Sequence, residues 1–314
     1  MVAKDVERLL QLIGEGNPFQ ARYIEKMRAE VMGEREFENL DFLVQFFCAQ
    51  GITVEQQAEA YLNFIQEIME EQLYFRRNHR YRADDYSKVC QEAYMNDSYM
   101  SQYVVALALT GCIWSNHIYV LRWYEEQLKA TCADRVNNYL EIGCGLGINL
   151  LHTIQMTNAA QYYCIDLSEK AVELCNALLA YAKGCSILNG RNYAVKCADF
   201  FSSQILEGGV SADIFTMFEV LEHVPNPDEM LERIKDVTTD HAQIFVSTAI
   251  NSPMPDHIYL FRSVQDVVDM VERHGFVIKD RICAAANNLD LETAERKEMP
   301  ITIALRLKKK AAGT

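Results

Sequence analysis

The sequence predicts an α/β fold, a doubly wound sheet preceded by an all-helical N-terminal region, and three observations predict it. From Asn137 to Leu150, NNYLEIGCGLGINL, an apolar strand enters Gly143, Gly145 and Gly147 and leaves at once into helical spacing (Ile148, Leu150, Leu151, Ile154). Beyond this stretch, short apolar strand patterns follow one another with helical patterns between them. Before it, Lys4 to about Ala130 reads as helix throughout.

The helical elements follow from spacing and caps. Val6, Leu9, Leu10 and Ile13 share one helix face, and Gly14 and Gly16 stop that run. Asn17-Pro18 caps a second helix with proline at its first position. Gly33 and Gly51 mark the next breaks, and Thr53 with Gln56 forms a capping box for a long helix to about His79. Asp84 to Met95 reads as another helix, and Asp97 or Ser98 caps one that extends to Lys129. The region is rich in aromatics, among them Tyr61, Tyr81, Tyr94, Tyr103, Trp114 and Tyr124. Most have the character of helix-packing residues, and a few are candidates to line a pocket.

Glycine at the turn lets the backbone approach a ligand and adopt φ values that other residues resist. The spacing departs from the dinucleotide fingerprint G-x-G-x-x-G, because the third glycine comes two residues after the second and Glu141 stands two before the first. The pattern E-x-G-x-G-x-G resembles motif I of the class I S-adenosylmethionine-dependent methyltransferases. The resemblance covers roughly residues 135 to 285 and implies a Rossmann-like seven-stranded core. It also implies a domain division: residues 1–130 as an all-helical lid or oligomerisation domain, and 131–314 as the cofactor-binding catalytic domain.

The second strand, Gln161 to Asp166, ends in an acid placed to accept both ribose hydroxyls of the cofactor. A helix from Ser168 to Tyr181 follows, then a third strand, Tyr193 to Cys197, ending in Ala198-Asp199-Phe200. In the resembling family an acid and an apolar residue here meet the adenine amino group and ring face. The cofactor contacts this implies are Glu141, Gly143, Gly145, Gly147, Asp166, Leu167, Asp199, Phe200 and Phe218.

Asp213 to Phe218 is the fourth strand, and EVLEHVPNP, residues 219 to 227, follows it. Glu219, Glu222 and His223 stand at i, i+3 and i+4, so one helical turn would set all three on a single face at the carboxyl end of the strand. The fifth strand, Gln243 to Ser247, leads into TAINSPMPDHIYLF, which brings His257 beside that turn in a doubly wound sheet. Two carboxylates and two imidazoles suit Mn, Fe, Zn or Mg, and the lack of thiolates argues against a structural zinc site. E-x-x-E-H followed by D-H-x-x-x-F resembles the metal-dependent small-RNA 2′-O-methyltransferases, and E-V-L-E-H-V resembles the ubiquinone-biosynthesis O-methyltransferases. The resemblance implies Glu219, Glu222, His223 and His257 as metal ligands, with His223 and Glu222 catalytic. His117 is a further candidate for the pocket, whereas His79, His152, His241 and His274 are expected to face solvent. The chain closes with a helix, Ser263 to His274, strands Phe276 to Ala284 and Ile301 to Leu307, and a frayed tail, KKKAAGT. That order resembles the antiparallel closing hairpin of the class I fold.

Composition sets the limits. The 314 residues are 50% hydrophobic, enough for a substantial core, and the net charge of −14 lacks the footprint of a nucleic-acid binder. A small-molecule acceptor is therefore expected, with no membrane partner and the N-terminal helices as lid or homodimer platform. The 10 cysteines form no C-x-x-C pair, and the charged N-terminus is neither signal peptide nor membrane span, so a reduced, cytoplasmic protein is expected. The expected chemistry is methyl transfer to an acceptor activated by a chelating ion, as O-methylation or C-methylation of a 2-oxo acid enolate. The alternatives are metal-free O- or N-methylation with His223 as base, or a cofactor-binding inactive partner subunit. A nicotinamide dehydrogenase is disfavoured by the glycine spacing.

Overall fold

The computed structural model describes residues 3–131, 136–188, 190–201, 209 and 211–310. Seven helices lead: α1 (Lys4–Gly16), α2 (Pro18–Glu30), α3 (Glu34–Ala49), α4 (Val54–Asn78), α5 (Tyr86–Val89), α6 (Asp97–Ile113) and α7 (Ser115–Thr131). The expected caps form. Asn17 accepts from the amides of Phe19 and Gln20, and Thr53 and Gln56 satisfy each other's backbone amides. Thr53→Ala removes half of that box at an exposed site, so the unfolding free energy should fall by about 1 kcal/mol, read as a shift in denaturant midpoint.

Two breaks differ from the sequence expectation. The helix over 84–95 is one short turn that runs into a π-helical turn, Cys90–Tyr94, and Asn96, not Asp97 or Ser98, caps α6. The helix expected to reach Lys129 unbroken bends by 75° at Trp114, between α6 and α7. The groups exposed by that bend find distant partners: Trp114 Nε1 donates to the Tyr61 hydroxyl, and the Ser115 amide to that of Tyr23. Among the described residues no single helix is long and apolar enough to cross a membrane. The bent α6–α7 pair passes only when its halves are joined.

The chain continues with β1 (Asn138–Ile142), α8 (Ile148–Met156), β2 (Gln161–Asp166), α9 (Glu169–Gly184), β3 (Tyr193–Cys197) and β4 (Ala212–Met217). After it come α10 (Pro227–Val237), β5 (Thr238–Ile250), α11 (Val264–Arg273), β6 (Phe276–Ala285), α12 (Leu291–Arg296) and β7 (Ile301–Lys309). The described strands form one seven-stranded sheet in the order β3-β2-β1-β4-β5-β7-β6. The first five strands are parallel, and β7 lies antiparallel between β5 and β6, with Ala249 opposite Thr302. β5 is longer than QIFVS suggested at both ends: Thr238–Ala242 extends it ahead of the apolar run, and Thr248–Ile250, paired with β7, extend it beyond Ser247. Lys308 and Lys309, expected in a frayed tail, belong to β7, and residues 311–314 of that tail lie outside the described residues.

Apolar burial ties the layers together. One cluster runs from Val6, Phe46 and Tyr61 through Val104 and Leu128 to Leu150 and Leu178, so the N-terminal helices share their core with one face of the sheet. The other face is closed by α10 and α11, where Leu231, Ile234, Val267 and Val271 are buried against Phe215 and Ile244. Each such side chain contributes roughly 1.5–3 kcal/mol relative to exposure. Nine cysteines are free thiols and Cys132 lies outside the described residues.

Candidate active site

A cavity of about 920 Å³ opens where the carboxyl ends of the parallel strands meet the N-terminal helices. Its first half is built from the glycine turn. Gly143, Gly145 and Gly147 have φ of 72°, 50° and 86°. A Cβ on Gly147 would sit 2.4 Å from Cys175 Sγ, so this glycine lets α8 pack on α9. A Cβ on Gly145 would meet nothing within 4 Å and would project into the opening, the cradle a cofactor needs.

Asp166, at the tip of β2, accepts from the Gly145 and Ser168 amides at 2.9 Å each, one on each oxygen, and lines the cavity. Those bonds fix the carboxylate and leave lone pairs for incoming hydroxyls. Burial raises its pKa to about 7. Leu167, Asp199, Phe200 and Phe218 are also on the wall. Glu141 and Gly147 are not: Glu141 is buried beneath the turn, accepts from the Tyr139 hydroxyl at 2.9 Å, and burial holds its pKa high. Its position supports the turn from below.

The second half lies over β4 and β5. Glu222, His223 and His257 each offer a ligand atom, and these atoms lie within 4.8 Å of one another. The single helical face expected for Glu219, Glu222 and His223 does not form. Glu219 adopts φ 53°, and only Leu221–His223 make a short 3-10 turn. Glu219 lines the cavity but stands outside the trio, accepting from Ser247 Oγ at 2.7 Å. Glu222 accepts from Thr248 Oγ1 at 2.7 Å and from the Ala249 amide at 3.3 Å.

Both imidazoles are held by Nδ1. His257 Nδ1 is 2.6 Å from the Ser252 carbonyl, which requires the proton on Nδ1 and leaves Nε2 as the lone pair. His223 Nδ1 is 2.9 Å from the Tyr94 hydroxyl and 3.3 Å from Asp256 Oδ2. Tyr94 and Tyr103 both donate to that same carboxylate oxygen, at 3.3 and 3.0 Å. Burial would lower the pKa of His223, but Asp256 outweighs it and raises it to about 9, while His257, buried beside His223, falls to about 3. Burial and mutual repulsion push Glu219 up to about 8, and burial also raises Glu222. A buried set with more carboxylate than positive charge fits a bound cation.

Sequence reasoning did not single out Asp256, and it offered Tyr94 and Tyr103 only within the wider group of aromatics from which a few pocket residues were expected. Asp256 precedes His257 in the D-H pair and was open to the same attention. The tyrosines differ, because nothing in their spacing separates them from packing residues. His117 does line the cavity. His79 and His241 are exposed, but His152 pairs with Glu125 and His274 with Asp228 and Glu232, each at most 15% exposed, which corrects the expectation that all four face solvent.

A family profile described as a methyltransferase domain matches residues 117–295, more than half of the chain. The chain belongs to the methyltransferase domain family. For such a domain, the Gly145 cradle and the Asp166 carboxylate fit S-adenosylmethionine as cofactor. The methyltransferase is 27% identical over 165 residues to a ubiquinone biosynthesis O-methyltransferase of Cupriavidus pinatubonensis, covering 51% of this chain and 62% of that one. Its counterpart in Aromatoleum aromaticum is 29% identical over 161 residues, 50% and 64%. The methyltransferase thus spans about three fifths of the length of these relatives. Among solved structures, the magnesium protoporphyrin IX methyltransferase of Synechocystis superposes with a TM-score of 0.52 at 15% identity, over 73% of this chain and 99% of that one. The mitomycin 7-O-methyltransferase gives 0.50 at 12%, over 85% and 73%. These likenesses show the fold.

Proposed function

We propose that this methyltransferase methylates an oxygen of a small, largely apolar acceptor bound against Glu222, His223 and His257, which hold a divalent ion. The carrying observation is the trio itself: three ligand atoms within 4.8 Å, with both imidazole Nδ1 atoms committed elsewhere. That leaves the Nε2 atoms for a cation, the usual arrangement of ligating histidines. Mn, Fe, Zn or Mg would supply Lewis acidity that lowers the pKa of a coordinated hydroxyl. Glu219, on the same wall, is the fourth candidate ligand. When bound at Gly145, Asp166 and Asp199, S-adenosylmethionine supplies an electrophilic methyl group.

The chain's own work is positioning. Thr248 and Ala249 fix the Glu222 carboxylate, and Asp256, through Tyr94, fixes the His223 ring. The N-terminal helices serve as a lid, contributing Tyr94, Tyr103 and Met69 to the cavity wall and shielding the acceptor from water. The O-methyltransferase relatives support oxygen over carbon as the attacked atom.

The test is elemental analysis of the purified protein, with methyl transfer assayed on a panel of catechols and hydroxy acids. A retained divalent ion, loss of activity on chelation and recovery on adding back Mn, Fe, Zn or Mg is the expected result. A chelated enzyme that keeps its full rate would favour the second reading, in which His223 is the general base. That reading draws on the Asp256 carboxylate beside His223, which orients the ring and holds its pKa at about 9, so the base form and the rate would rise toward alkaline pH.

A further inference from the structure

The cavity has a second polar station, away from the Glu222, His223 and His257 cluster. His117 stands near the start of α7 with its ring on the cavity wall, 5.2 Å from the Trp114 ring. Its Nδ1 is 3.0 Å from Thr110 Oγ1. Thr110 already gives its hydroxyl proton to the Leu107 carbonyl at 2.6 Å, so the bond to His117 must carry the imidazole proton on Nδ1. His117 Nε2 is then a bare lone pair with no hydrogen-bond partner among the described residues. Burial drops the His117 pKa to about 4, so the ring is neutral. The neighbouring Asn116, also on the wall, uses Nδ2 on Thr302 Oγ1 at 3.1 Å and leaves Oδ1 buried and without a partner. Such orphaned acceptors in a buried setting call for a donor.

The station is close to the chemistry. Thr302, held by Asn116, faces Ala249 across the β5–β7 ladder, and the Ala249 amide donates to Glu222. A small molecule reaching the cluster therefore has His117 within the same chamber.

We propose that His117 forms an acceptor subsite: its Nε2 takes a hydrogen bond from a hydroxyl or N–H group of the methyl acceptor, other than the oxygen that is methylated. A neutral lone pair admits a donor and gives a carboxylate nothing to bind, so the subsite selects hydroxylated or N–H-bearing acceptors over anionic ones. This rests on the reading that the cavity holds the methyl acceptor, but it does not depend on the ion.

The experiment titrates phenol and anisole, alike in size and differing in the donor, into the full-length protein with S-adenosylhomocysteine and chelator present. Tryptophan fluorescence reports binding beside Trp114, and the ¹⁵N resonance of His117 Nε2 reports the bond. Wild type is expected to prefer phenol by about tenfold, the worth of one hydrogen bond, with a shift of the Nε2 signal for phenol alone. H117F is expected to lose the preference and H117Q to keep part of it. Equal affinity for the two probes, no detectable binding of either, or a preference that survives H117F and disappears in H223A would overturn the subsite. The chelator separates this from the metal reading, which fails only in the activity and metal-content assays.

Discussion

His257→Ala is expected to abolish retention of a divalent ion and to lower kcat/KM for the methyl acceptor by roughly 10²–10⁴-fold, while leaving affinity for S-adenosylhomocysteine unchanged. The reason is spatial: His257 sits with Glu222 and His223 over β4 and β5, whereas the proposed cofactor residues are Gly145, in the turn after β1, and Asp166, at the end of β2. His257 is buried, so truncation also leaves a void, and His257→Gln fills most of it while replacing the imidazole with a neutral amide. Asp256→Asn is expected to weaken ion retention less, by about 10- to 100-fold, because it acts through the orientation of His223. Elemental analysis and steady-state kinetics on the variants check all of this. Unaltered metal content in His257→Ala would remove that residue from the site.

Cofactor affinity is expected to depend on pH through Asp166. In the unliganded enzyme burial raises this carboxyl to about 7, and ribose hydroxyls donate to the ionised form. Affinity for S-adenosylhomocysteine should therefore fall by about tenfold per pH unit as pH drops below this value, and level off above it. The unliganded fold responds in the opposite sense. A carboxyl whose folded pKa is raised above its ordinary value contributes stability that is full below that ordinary value and is lost as pH rises through about 7. Asp166→Asn should flatten both profiles and weaken binding by about 10- to 100-fold, as expected for lost hydrogen bonds to a charged acceptor. Calorimetric titration across pH, paired with thermal melts of the unliganded protein, measures the two together.

Local signals were legible wherever local physics decides structure. Thr53 with Gln56, and Asn17 ahead of Pro18, satisfy backbone donors within a few residues, so those caps could be read along the chain. The glycine turn and strands β1 to β4 are equally local. The bend at Trp114 was not, because no proline marks it, Gly111 stays within α6, and its open groups are met by Tyr61 and Tyr23, far away in sequence. Glu219 was misplaced for a related reason. Helical spacing assumes helical backbone, and Glu219 adopts a left-handed conformation that ties it to Ser247 on the neighbouring strand. The π-helical turn that ends at Tyr94 left no periodic trace, yet it carries the hydroxyl that meets His223.

The tyrosine pair on Asp256 has an evolutionary consequence. Tyr94 and Tyr103 come from the helical block and His223 from the sheet, so the imidazole's orientation is specified jointly by segments more than a hundred positions apart. A chimera that grafts a foreign helical block onto this sheet would inherit a new acceptor preference and lose the hydroxyls that steady Asp256 in the same step. Drift in one segment is thus constrained by the other, and substrate range and catalytic competence would have to change together along the lineage.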